Sequence, residues 1–269
     1  MKFSKKQKDL FKDKYGPWAV VTGASSGIGR ELSLQIAQIG MNTVIVARNK
    51  EKLERLKSEI TEKHSVEVQV VSADLSDGGV QKVIEAIANR EIGLFVASAG
   101  FGTSGPFLKN SMHEEVNMLD VNCSSLLALT HYFAQTFSNK KRGGIILMSS
   151  IVAFQGVPFS ANYAATKAYV QSLAEGLYHE LKPHGVSVLA AAPGPVNSGF
   201  SSRANMKMGN VLRPEDIGIP ILKALGRQTT VLPGRLTKIL VYALRTVPRW
   251  GKVRIMKMVM GGMTAHQGD

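Results

Sequence analysis

Tyr163 and Lys167 are the residues of this chain best placed to move a proton. Four positions apart on a helix, their side chains share one face, so a phenol and an ammonium sit side by side. A neighbouring cation favours phenolate and lowers a tyrosine pKa towards the range of a working acid–base group. Taken alone, the pair is equally an ordinary surface pair. Upstream, Ser149 and Ser150 end an apolar run, and a hydroxyl there can donate to a carbonyl oxygen that gains negative charge. Asn122, read by itself, is a satisfied polar residue inside a helix.

A second group of residues has the types needed to hold a phosphate-bearing molecule. The turn Gly23-Ala24-Ser25-Ser26-Gly27-Ile28-Gly29 follows an apolar run at 18–21 and precedes a helix-periodic stretch at 30–39. Strand, glycine turn and helix is the context in which such a pattern matters. Glycine has no Cβ, so backbone can approach a pyrophosphate, and the helix N-terminus points free N–H groups at it. Gly23, Ser25, Ser26, Gly27 and Ile28 are the contacts expected here; a tight turn without ligand is the plainer alternative. After the next strand comes Ala47-Arg48, where a site for NAD would offer Asp or Glu to the ribose. Ala47 cannot, whereas the planar fork of Arg48 suits a 2′-phosphate, which points to NADPH. The alternative is a surface arginine opening a charged helix. Asp74 can accept from an adenine amino group with Leu75 beside the ring, and Ser98-Ala99-Gly100 lets backbone come close to the ligand.

The elements that must position these groups alternate regularly. β-rich runs fall at 18–21, 42–47, 66–71, 92–97, 145–148 and 186–191, and helical patterns at 30–39, 50–63, 80–89, 112–138 and 160–181. Gly40 reads as a helix C-cap and Asn49 as an N-cap, while Pro183 stops the helix that carries Tyr163. The alternation predicts βαβ units and a parallel sheet covered on both faces. The fold class is therefore α/β, one doubly wound Rossmann-type sheet with helices on both faces and a helical C-terminal extension. A single dinucleotide-binding and catalytic domain is expected over 1–269, with a basic arm at 1–16, a substrate lid at 199–212 and basic apolar helices at 234–263. In such sheets ligands bind beyond the carboxyl ends of the strands, which is where the residues named above fall.

The glycine spacing, T-G-x-x-x-G-x-G, resembles the short-chain dehydrogenase/reductase family, and the other motifs follow in that family's order over about residues 17–200. Tyr163 lies thirteen positions after Ser150 (163 minus 150), the family's offset; Ser149 is off by one. Asn122 matches the remaining active-site position, and the resemblance implies that it helps hold a water beside the lysine. Pro193-Gly194-Pro195-Val196-Asn197-Ser198 nearly matches P-G-x-x-x-T, with Ser198 in the threonine place, so Pro193, Gly194, Val196 and Ser198 are implied cofactor contacts. The family's N-N-A-G appears here as Ala97-Ser98-Ala99-Gly100, without either asparagine. The start of the first strand, 15–23, also resembles 3-oxoacyl-CoA reductases and 17β-hydroxysteroid dehydrogenase relatives. The resemblance implies an NADPH-dependent carbonyl reductase: Asn122, Ser150, Tyr163 and Lys167 are its catalytic residues, and Tyr163 and Lys167 also bind cofactor. A lipophilic ketone, such as a 3-oxoacyl thioester or a steroid, is the expected substrate. Two other readings stand beside it, NADP-linked alcohol oxidation at the same site and a nucleotide-sensing protein without turnover.

Composition bounds the partners. The chain has 269 residues, 33 Lys and Arg against 20 Asp and Glu, and a net charge of +13. Nucleic acid, an anionic membrane surface and phosphate-bearing small molecules each suit such a charge, but no nucleic-acid-binding motif is present. A single cysteine, Cys123, excludes an internal disulfide framework and fits a reducing compartment. No metal site, secretory signal or spanning helix is expected. The expected location is the cytoplasm, peripheral to a membrane, and the expected assembly a homodimer or homotetramer. From 236 to 263 basic and apolar residues alternate around Pro248, in the manner of interfacial helices; packing of the same faces on protein is the equal alternative.

Overall fold

The computed structural model describes residues 3–209 and 211–268; Met1, Lys2, Asn210 and Asp269 lie outside the described residues, and with them the extreme ends of the chain and one position of the 199–212 segment. The described residues form one parallel sheet of seven strands: β1 (Trp18–Thr22), β2 (Asn42–Ala47), β3 (Val68–Ser72), β4 (Ile92–Ala97), β5 (Gly143–Met148), β6 (Val186–Ala191) and β7 (Thr230–Val231). Their order is β3-β2-β1-β4-β5-β6-β7. The chain reverses its direction of winding between β1 and β4, so a crevice opens there beyond the strand ends.

The helices are α1 (Lys5–Tyr15), α2 (Gly27–Ile39), α3 (Lys50–Lys63), α4 (Gly79–Ile87), α5 (Met112–Leu119), α6 (Ser125–Lys140), α7 (Ala161–Leu181), α8 (Phe200–Arg203), α9 (Pro214–Ala224), α10 (Arg235–Ala243) and α11 (Arg249–Thr264). They cover the sheet on both sides. Alternation along β1 sends Ala19 and Val21 into one core cluster, with Leu32, Ile36, Leu53 and Ile221, and Trp18 and Val20 into the other, with Val83, Phe133, Phe137 and Val170. The strands are buried on both faces, which is why they read as continuous apolar runs.

The elements depart from the sequence pattern in several places, among them β5, which begins at Gly143 rather than 145. The third strand begins two residues later than the pattern suggested, at Val68, because Val66 and Glu67 precede the pairing with β2. The helix expected over 112–138 is two helices joined by a π-helical turn, Asp120–Ser124. The N-terminal stretch, open to a helix or an arm, is a packed helix: Phe11 and Tyr15 are buried in the core and the Tyr15 hydroxyl donates to Ser187 Oγ at 3.0 Å. A capping box between Ser4 and Gln7 starts it. The short β7, paired to Ala190 and Ala191, was not foreseen; two residues carry no periodicity.

Candidate active site

The glycine turn lies where β1 runs into α2. Gly23 and Gly27 have φ of +69° and +56°, a region that L side chains rarely adopt. A Cβ on Gly23 would lie 2.8 Å from the Ser98–Ala99 backbone, and one on Gly27 would lie 2.5 Å from Ser198 Cβ. The turn is thus pressed against the segments that follow β4 and β6. Thr22 fixes it from below, accepting from the N–H groups of Ser98 and Ala99 at 3.1 Å each. No side chain caps α2, so its first N–H groups are available to an anion.

Beyond the strand ends runs a cleft of about 1530 Å³. Every cofactor residue expected from the sequence lines it: Gly23, Ser25, Ser26, Gly27, Ile28, Arg48, Asp74, Leu75, Ser98, Ala99, Gly100, Tyr163, Lys167, Pro193, Gly194, Val196 and Ser198. Ser150 lines it as well, while Asn122 sits fully buried behind the wall. Arg48, half exposed at the end of β2, has Nη1 3.6 Å from Asp74 Oδ2. Asp74 Oδ1 is already engaged, accepting from the backbone N–H (3.0 Å) and hydroxyl (2.7 Å) of Ser76. Partial burial would raise the Asp74 carboxyl, but these bonds and Arg48 outweigh it and hold the group below its ordinary value.

Tyr163 and Lys167 project from the first turns of α7. Ser150, two residues past β5, lies beside the phenol, and its Oγ accepts from the Val152 N–H at 3.4 Å. Ser149 points the other way: it is buried and its Oγ donates to the Lys167 carbonyl at 3.1 Å. Lys167 Nζ donates to the Met148 carbonyl at 2.8 Å and stands 5.8 Å from the centre of the Tyr163 ring. Burial sets the electrostatics here. It raises the Tyr163 pKa above its ordinary value, against the lowering influence of the Ser150 hydroxyl, and lowers that of Lys167 to about 8. The expectation that the neighbouring cation depresses the phenol is therefore corrected, because the dry surroundings penalise both charged forms.

Asn122 owes its place to the π-helical turn. Its amide Nδ2 donates to the Phe101 carbonyl (2.8 Å) and to Thr166 Oγ1 (3.0 Å), and its Oδ1 accepts from the Phe101 N–H (3.1 Å). Both amide protons are committed to protein, so the side chain ties the loop after β4 to α7. Gly100 lies between: a Cβ there would fall 2.9 Å from Asn122 Oδ1 and 3.4 Å from Lys167 Nζ. Gly100 therefore admits these two side chains as well as any ligand.

Several residues in or behind the cleft were not singled out by type or spacing, although they fall in the expected 199–212 lid and C-terminal helices. Phe200 of α8 packs on the Tyr163 ring, centroids 5.0 Å apart, and the Arg203 guanidinium stacks 3.7 Å from the Phe101 ring centre. Thr237 of α10, fully buried, accepts from the Gly194 N–H at 3.1 Å and so joins the C-terminal region to the loop after β6. Beside Tyr163 the cleft has an apolar end, a chamber lined by Phe200, Met206, Met208, Met256, Met260 and Met263 and backed by the packed side chains of Val157, Phe159, Ala164 and Ala204. These residues come from distant stretches, and only the fold brings them together.

The lining fits a nicotinamide dinucleotide: a glycine cradle that any Cβ would fill, an uncapped helix start, and an arginine fork where a carboxylate would otherwise read the ribose. The short chain dehydrogenase family profile matches residues 17–209, well over half the chain. The chain belongs to that family. Among its relatives, the 7beta-hydroxysteroid dehydrogenase of Clostridium sardiniense is 30% identical over 85% of this chain and 89% of its own length. A very-long-chain 3-oxoacyl-CoA reductase of Ajellomyces capsulatus is 31% identical over 95% of this chain and 75% of the relative. A short-chain dehydrogenase from Sphingobium yanoikuyae, solved in complex with NADPH, superposes with a TM-score of 0.78 at 28% identity, covering 85% of this chain and 92% of that one. As a short-chain dehydrogenase this chain is an oxidoreductase that uses a nicotinamide cofactor.

Proposed function

We propose that this short-chain dehydrogenase reduces a lipophilic ketone with NADPH. One observation carries the reading: the Ser150, Tyr163 and Lys167 cluster opens on one side to the glycine cradle and on the other to the methionine-rich chamber. Arg48 holds the 2′-phosphate of the cofactor, and Lys167 its nicotinamide ribose. Hydride for the carbonyl carbon is the chemistry that bound NADPH supplies. Ser150 donates to the carbonyl oxygen as negative charge gathers on it. Tyr163 gives that oxygen a proton, and its raised pKa keeps the phenol protonated, the form a general acid needs. Asn122 and Thr166 hold the loop after β4 against α7, so that the distances do not drift. Residues 199–212 act as a lid, with Phe200 closing on the tyrosine and excluding water.

The apolar chamber sets the substrate. Methionine side chains adapt to varied apolar shapes, and five of them, Met206, Met208, Met256, Met260 and Met263, line it. The very-long-chain 3-oxoacyl-CoA reductase and the hydroxysteroid dehydrogenase among the relatives are named for substrates of this apolar class. NADPH consumption against ketones of rising chain length tests the reading. Each buried methylene is worth about 0.8 kcal/mol, so kcat/KM should climb by up to about fourfold per carbon until the chamber is full. A preference for small polar ketones would overturn it.

The lysine makes a second test. Lys167 is charged below about pH 8 and neutral above it. Its charge is needed to hold the ribose. kcat/KM for NADPH, which reports the free enzyme, should therefore fall as pH rises through about 8, by up to about tenfold per unit. In Lys167→Met that limb should vanish from a uniformly low profile; its persistence would assign the limb to another group.

A further inference from the structure

The C-terminal helices are built unlike the rest of the surface. Residues 235–264 hold seven Lys and Arg and no Asp or Glu. Large apolar side chains stand among these cations: Ile239 and Tyr242 on α10, Trp250 and Met258 on α11, between 58% and 76% exposed. In each helix only a few residues face inward, Thr237 in α10 and Met260 and Thr264 in α11. The Arg254 guanidinium lies 5.1 Å from the Trp250 ring centre, so cation and indole form one unit. Neither helix is long and apolar enough to cross a bilayer.

We propose that α10 and α11 dock this short-chain dehydrogenase on an anionic phospholipid surface, with the mouth of its cleft at the lipid. Charge decides the occupant. A second copy meeting the same face across a two-fold axis would set seven cations against seven, with no carboxylate from these helices to answer them. Nucleic acid would answer the charge but offers nothing to Ile239 and Met258. An anionic leaflet supplies both phosphates and hydrocarbon, and an indole flanked by cations suits its headgroup level. The mouth follows from three residues, Leu240, Tyr242 and Val259, which line the cleft and are also between 38% and 58% exposed. An apolar ketone dissolved in the leaflet would then enter without crossing water.

The helix end also reaches the segment over the cleft. Lys207 N–H donates to the Met263 carbonyl at 3.0 Å, and Gln267 Nε2 donates to the Asn205 carbonyl at 2.6 Å and to Ser104 Oγ at 3.0 Å. A movement of α11 on lipid therefore pulls directly on residues 204–207. Delivery of ketone through this mouth rests on the function proposed above; the docking does not, and the test separates them.

Binding is measured on the full chain, without cofactor or ketone, by sedimentation with vesicles of phosphatidylcholine alone or with phosphatidylglycerol added. The chain should sediment with the anionic vesicles and not with the neutral ones. Raising salt from about 0.1 M to about 1 M shortens the screening length from about 10 Å to about 3 Å and should release it. Trp18 is buried in the core, so a blue shift in emission on binding reports Trp250. Arg254→Glu with Lys257→Glu, neither of which lines the cleft, should weaken binding by at least about tenfold, at about fivefold per cation. Trp250→Ala should weaken it too and abolish the shift. Both variants should keep wild-type turnover of a water-soluble ketone, which shows that they fold. Equal binding to neutral vesicles, no loss in either variant, tighter binding to duplex DNA, or a dimer that buries Trp250 would each overturn the docking. Vesicle binding without turnover of any ketone would overturn the proposed function and leave the docking standing.

Discussion

Tyr163→Phe should bind NADPH as the wild type does and turn over its ketone about 10²- to 10⁴-fold more slowly. The separation of the two effects follows from the position of the hydroxyl. The ring of Tyr163 packs against Phe200 and its backbone accepts from Thr166, and phenylalanine preserves both contacts. Only the phenol oxygen beside Ser150 is lost. Ser150 then still donates to the substrate oxygen, but nothing supplies the proton, and the forming alkoxide is left in a dry site. Single-turnover reduction followed at 340 nm, beside a fluorescence titration with NADPH, separates chemistry from binding. Near-normal turnover in the variant would remove Tyr163 from the mechanism.

What the sequence made legible was local. Glycine at 23 and 27 is required by a positive φ, and tyrosine and lysine four apart share a helix face whatever surrounds them. The strands announced themselves because both faces of the sheet are covered. The features that escaped depend on partners distant in the chain. The apolar pattern runs on through Met118, Leu119 and Val121, so nothing marks the π-helical turn at Asp120–Ser124, within which Asn122 bonds Phe101 and Thr166. The direction of the Tyr163 shift is likewise set by burial, which spacing cannot report and which outweighs the cation beside it. The lysines of the N-terminal helix leave a helix and a free arm equally open by sequence, and Phe11 and Tyr15 anchor it to the core. The Met206, Met208, Met256, Met260 and Met263 wall is assembled from two segments that sequence order separates by α9, β7 and α10.

Arg48→Ala should weaken NADPH by about 10- to 150-fold and leave NADH nearly unchanged, reversing or abolishing any preference between them. The magnitude follows from a charge-assisted hydrogen bond, worth about 1.5–3 kcal/mol. The selectivity follows from what surrounds the arginine. Its side chain is 56% exposed, so it is free to turn onto a phosphate, and the strand end that carries it has Ala47 in place of a carboxylate. NADH, with a hydroxyl where NADPH has the phosphate, has no charge for the fork to meet. Removing the guanidinium also frees Asp74, whose carboxyl Arg48 helps hold below its ordinary value. An unpaired carboxylate beside a 2′-phosphate adds repulsion to the lost attraction, so Arg48→Ala should hurt NADPH more than Arg48→Ala combined with Asp74→Asn does. Calorimetric titration of both nucleotides into the wild type and the two variants reads all of these terms. Equal weakening of the two nucleotides, or tighter binding of NADH by the wild type, would show that Arg48 does not read the phosphate.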